Sequence, residues 1–94
     1  MADLHVDLCG LRLRNPTMLA SGVLDETAGT MVEVARAGAG AVVTKSVGRS
    51  PREGHANPCV VELEVGLLNA MGLPNPGIDY FSEEVKAVKR DGVT

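Results

Sequence analysis

The sequence predicts an α/β protein with a parallel sheet. Two observations carry that expectation. Short β-branched apolar runs alternate with segments whose apolar residues recur at helical spacing, and the order along the chain is strand, helix, strand, helix. A third concerns extent. Two parallel strands and two helices leave sheet edges unpaired, and residues 93–94 stand where the next strand is due. Residues 1–94 therefore read as the N-terminal part of a larger domain.

Each element has its own signal. LHVDLCGLRLRNP alternates as two short strands, about 4–8 and 11–14, joined at Cys9-Gly10, where Gly10 supplies the positive φ of a tight hairpin. After Pro16, TMLASG reads as a short buried strand that ends in small residues. From Thr27 to Ala37 the positions Met31, Val34 and Ala35 keep helical spacing, and GAG closes the segment. AVVTK, residues 41–45, reads as a buried parallel strand. Residues 47–58 are polar and rich in turn formers, so they form a loop, and CVVELEV follows as a strand or extended arm. GLLNAMGLPNPG, residues 66–77, carries prolines and glycines that a buried strand has no use for, and leucines that a solvated linker has no use for. It suits a backbone turning closely around something flat and partly apolar. A last helix, capped by Asp79 or Ser82, runs to about Arg90 with Phe81, Val85 and Val88 inward; Lys86, Lys89 and Arg90 complement its dipole, and Gly92 ends it.

Composition narrows the function classes. At 45% hydrophobic the chain is globular rather than disordered. Tyr80 and Phe81 are the aromatics, so the core is expected from Val, Leu, Ala and Met. A net charge of −3 and the lack of aromatic platforms argue against nucleic acid as a partner. The apolar runs fall far short of the roughly 20 residues of a membrane helix, and MADLHVDL is not a secretory signal. A cytoplasmic protein without a membrane partner is expected. Cys9 and Cys59 lack CxxC partners and read as free, buried or half-buried thiols. His55 has no second ligand at metal spacing, so no metal is expected, and neither GxGxxG nor a P-loop is present.

In α/β sheets, ligands sit at the carboxyl ends of strands. That rule selects Ala20-Ser21-Gly22 and Lys45-Ser46. Small residues let a planar ligand approach the backbone, and the serines offer hydroxyls or amides. Lys45 brings a cation that a buried setting would pair with an anionic partner. The plainer readings stand beside these: a solvated strand end for Lys45, a common strand-to-loop transition for ASG, and a turn residue satisfying its own backbone for Asn69. Glu62 and Glu64 lie two apart on a strand and face the same way, without marking an acid–base pair.

Taken together, NP followed by ASG, then GAGAVVTKS, PREG and GLLNAMGLPNPG, the sequence resembles the dihydroorotate dehydrogenases, which are flavin enzymes built on a TIM barrel. LNAMGLPNPG in step with TKS is the specific part. The dihydropyrimidine dehydrogenases share ASG and TK but not that run, and a non-catalytic barrel fragment serving binding or assembly is the alternative from another class. The resemblance covers nearly the whole chain and about the first third of such a barrel. It implies the N-terminal part of a (β/α)8 TIM barrel, preceded by a short antiparallel β-hairpin. It also implies FMN against Ala20, Ser21, Gly22, Lys45 and Ser46. Substrate would lie against Lys45, Asn69, Ala70, Met71, Gly72 and Leu73, with Lys45 between flavin and pyrimidine. The implied reaction is oxidation of dihydroorotate to orotate in pyrimidine synthesis. Electrons would pass to fumarate in a homodimer, or to NAD through an iron–sulfur, FAD-carrying subunit. The absence of a long N-terminal extension argues against the quinone-linked form. Two positions depart from the family's RxGN and PR pattern: His55 replaces the Asn and Cys59 the Arg. The family's catalytic base, a Cys or Ser on a later loop, has no counterpart in residues 1–94, because Cys9 and Cys59 stand elsewhere.

Overall fold

The computed structural model describes residues 2–94. Strands β1 (Val6–Leu8) and β2 (Leu11–Leu13) form an antiparallel hairpin with Leu8 opposite Leu11. Cys9 and Gly10 both have positive φ, 50° and 87°, the twist a two-residue turn needs to match its strands. Strand β3 (Met18–Leu19) pairs in parallel with β4 (Ala41–Val42). Helix α1 (Ala28–Arg36) makes the crossover between them. The far edge of β4 meets the chain again, since the Val42 amide donates to the Thr94 carbonyl at 2.9 Å while that of Val43 donates to Leu19. Thr94 thus lies beside the free edge of β4.

Helix α1 starts at Thr27, whose side chain accepts from the Thr30 amide at 3.2 Å. The first helical amide, that of Ala28, donates to the Glu84 carboxylate of helix α2 (Ile78–Arg90) at 2.7 Å. At the other end Arg14 donates to the Ala35 and Ala39 carbonyls, so the hairpin arm caps α1 as well. Helix α2 begins a turn earlier than expected. Gly77 is its cap, Asp79 lies inside the first turn where it favours the dipole, and the Ser82 hydroxyl donates to the Asp79 carbonyl.

The two helices pack on each other and on β4 around Met31, Phe81 and Val88, flanked by Ala28, Val32, Val42, Val47, Val85 and Val93. The composition argument that left aromatics out of the core is therefore wrong at Phe81, which the helical spacing had already turned inward. On α1, Val32 rather than Val34 flanks the cluster. The expectation of two fully buried strands also needs correction. Met18 and Val43 are exposed because the helices cover one face of the β3–β4 pair and nothing among the described residues covers the other.

The largest correction concerns residues 66–69. Strands β5 (Val60–Leu63) and β6 (Gly66–Asn69) form an antiparallel hairpin, so the first third of GLLNAMGLPNPG is a strand and not a loop. Its leucines face solvent along an arm that does not pack on the helices, which is why neither burial nor turn chemistry announced it. Glu64 consequently sits in the hairpin turn, off the strand that carries Glu62. Among the described residues no helix is long and apolar enough to cross a membrane. Both cysteines are free, but Cys9 is exposed in its turn and not buried.

Candidate active-site cleft

Three segments converge at the carboxyl ends of β3 and β4. Ser21, Gly22 and Val23 follow β3, Lys45 follows β4, and Asn69, Met71, Gly72 and Leu73 come from the end of β6 and the loop after it. They line a cleft of about 350 Å³, within the range of small-molecule sites. Of the residues selected from sequence, Ala20, Ser46 and Ala70 do not line this cleft. Each is the chain neighbour of a residue that does, and the Ala70 amide is spent on the Cys59 carbonyl at the base of the arm.

Lys45 is only 7% exposed, so it is not a solvated strand end. Its ammonium donates to the Gly22 carbonyl at 2.6 Å, which leaves further N–H groups for a ligand. Gly22 is itself held from the other side, because its amide donates to Asp25 at 2.9 Å. Asp25 is fully buried, and its second oxygen finds no partner. A Cβ placed on Gly22 would project into open space, with the nearest heavy atom 4.0 Å away. The glycine therefore leaves room for something flat to lie against the backbone.

The opposite wall is braced by the loop of residues 47–58. Arg52 and Asn75 exchange backbone hydrogen bonds, the His55 amide donates to the Met71 carbonyl, and the Arg52 side chain donates to the Gly72 carbonyl at 2.7 Å. Asn75 is the hub. Its side-chain oxygen accepts from the Gly48 and Gly77 amides, and its amide nitrogen donates to the Leu73 carbonyl. The two loops lie so close that a Cβ on Gly72, where φ is +79°, would fall 2.7 Å from the His55 nitrogen. The His55 backbone thus belongs to the brace.

The Asn69 side chain makes no hydrogen bond among the described residues, and its backbone ends β6 opposite Val60. The turn reading of Asn69 fails on that geometry. Lys45 also lines a second cavity of about 320 Å³ with Glu26, Arg52, Tyr80 and Glu84, behind the first. Reading the sequence missed Asp25, Asn75 and the brace role of Arg52. Asn75 had a signal, since an asparagine between two prolines has few uses other than bonding nearby backbone. Asp25 had none, because VLDET reads as an ordinary approach to a helix.

A parallel β–α–β unit with this cleft at its strand ends can be compared with known proteins. The family model for dihydroorotate dehydrogenase matches residues 3–93. The chain belongs to the dihydroorotate dehydrogenase family. Among relatives, the dihydroorotate dehydrogenase B (NAD(+)) catalytic subunit of Thermoplasma acidophilum is 54% identical over 92 residues, covering 98% of this chain and 31% of that protein. The corresponding subunit of Methanocaldococcus jannaschii is 50% identical over 86 residues, covering 92% and 28%. The structure of DHODH from Eimeria tenella in complex with ferulenol superposes with a TM-score of 0.83 at 26% identity, covering 95% of this chain and 24% of that one. The chain thus spans under a third of the length of the relatives it matches.

Proposed function

We propose that residues 1–94 are the N-terminal segment of one FMN-binding (β/α)8 barrel that oxidises dihydroorotate to orotate in pyrimidine synthesis in the cytoplasm. The observation that carries this is the convergence of Ser21, Gly22, Lys45, Asn69, Met71, Gly72 and Leu73 on one cleft at the strand ends. The names of the relatives favour NAD as the final acceptor, reached through a separate electron-transfer subunit.

The donor set fits a flavin. Gly22 offers a backbone edge without a side chain, Ser21 an adjacent hydroxyl, and Lys45 a buried cation suited to an electron-rich ring edge. FMN, when bound, supplies the hydride acceptor for C6 of dihydroorotate, while a base takes the C5 proton. That base is the family's Cys or Ser, outside residues 1–94. The present residues bind and orient. Gly22 fixes the Lys45 ammonium so that its remaining N–H groups meet the substrate carboxylate and the ring edge. Asn69 presents an unspent amide to the pyrimidine. The braced loop of Met71, Gly72 and Leu73 offers the ligand an apolar wall.

Asn69 provides the test. In the FMN-loaded complete gene product, Asn69→Ala should cost about 1–3 kcal/mol of orotate affinity, since it leaves ligand polar atoms unpaired. FMN content and melting temperature should stay at the parent values, because that side chain bonds nothing among the described residues. Unchanged orotate affinity on titration ends the claim that this cleft reads the substrate.

A further inference from the structure

We propose that Asp25 is a positioning residue for Lys45, acting through Gly22. The inference rests on the reading of the cleft given above. Gly22 is gripped from both sides: Asp25 accepts from its amide at 2.9 Å, and Lys45 donates to its carbonyl at 2.6 Å. These atoms belong to successive peptide units, so the carboxylate fixes the orientation of the residue whose carbonyl in turn aims the ammonium. Both charged side chains are buried, Asp25 wholly and Lys45 to 7% exposure.

A carboxylate that is fully buried and leaves one oxygen without a partner is costly to keep for stability alone. Its position gives it a use. Residues 20–24 lie beyond the β3–β4 ladder, in a turn that has left its strand and needs a tether. Asp25 reaches back three residues to supply one and then leads into Thr27, the cap of α1. The tether therefore ties the loop that faces the ligand to the start of a packed helix. If Gly22 swings, Lys45 loses its single acceptor and its ammonium is no longer set at the cleft.

The test is a double-mutant cycle on the FMN-loaded complete gene product, with orotate titrated by the change in flavin absorbance. Asp25→Ala and Lys45→Ala should each weaken orotate about tenfold, and the double variant should be no weaker than Lys45→Ala alone. Asp25→Asn, which keeps an oxygen for the Gly22 amide, should bind within about threefold of the parent. FMN affinity of the apoprotein, read by fluorescence quenching, should fall in Asp25→Ala and recover in Asp25→Asn. Should the alanine variant fail to accumulate, Asp25→Ser takes its place in the cycle, its hydroxyl being too short to reach Gly22. Additive losses beside a strong Lys45→Ala effect overturn the Asp25 role and leave the cleft reading intact. A Lys45→Ala variant that binds orotate like the parent overturns both, and so separates the two failures.

Discussion

Replacing Asn75 with alanine should unpin the loop that forms one wall of the cleft. The side chain makes three hydrogen bonds: it accepts from Gly48 at 3.1 Å and Gly77 at 3.0 Å, and donates to Leu73 at 3.1 Å. Gly77 is buried, so its orphaned amide costs about 1–3 kcal/mol, whereas the more exposed Gly48 amide and Leu73 carbonyl regain water and cost about 0.5 kcal/mol each. The sum is about 2–4 kcal/mol, felt locally. Peptides covering residues 70–80 and 46–56 of the complete gene product should then exchange deuterium about thirtyfold to several hundredfold faster, as read by mass spectrometry. Asn75→Asp retains both accepted bonds and loses only the donated one, so its exchange should rise about tenfold or less. Exchange unchanged in Asn75→Ala would show that Asn75 is not the hub. An aspartate variant as fast as alanine would show that the acceptor geometry is not what matters.

Other outcomes follow from the same cleft. Lys45→Ala should slow flavin reduction by dihydroorotate in stopped flow by about 2.7–4 kcal/mol in barrier, the size of a lost charge-stabilising donor, and a rate within about threefold of the parent would refute its role. Lys45→Arg should not restore the rate, because a planar fork cannot take the place of a compact ammonium against the Gly22 carbonyl. Gly72→Ala combines a strained φ with a 2.7 Å approach to the His55 backbone, so it should lower the melting temperature and weaken orotate together; an unaltered melt would mean the loops separate freely. The isolated 94-residue chain should associate in solution. Val65 is 96% exposed and Leu67 70% on an arm with open edges, and a monomer in light scattering with a cooperative melt would contradict this.

The parts of the fold legible in the sequence were those set by local chemistry. Cys9-Gly10 announced a hairpin turn, and the spacing of Phe81, Val85 and Val88 an inward helix face. Of the cleft, Ser21, Gly22 and Lys45 were legible because they sit at strand ends, whereas Asn69, Met71, Gly72 and Leu73 were named only through the family resemblance. What stayed hidden depends on contacts between distant segments. CVVELEV was legible as a strand, but its partner β6 buries nothing among the described residues and so leaves no apolar alternation to read. The α2 cap moved to Gly77 because Pro51 and the Gly48 carbonyl, nearly thirty residues earlier, hold it there. Asp25 acquires its meaning from a glycine amide and a lysine on another strand, neither of which its own neighbours reveal.

The carboxylate that α2 sends to the start of α1 decides what charge the neighbouring loop can receive. The N-terminus of a crossover helix in an α/β unit is a ready anion site, with free amides and the positive end of the helix dipole. Here the Ala28 amide is taken by Glu84 and that of Thr30 by the Thr27 hydroxyl. A negative charge already occupies the place where a phosphate would be drawn, and a second one there would be repelled. The loop after β3 is thus left to a part of a ligand that carries no negative charge.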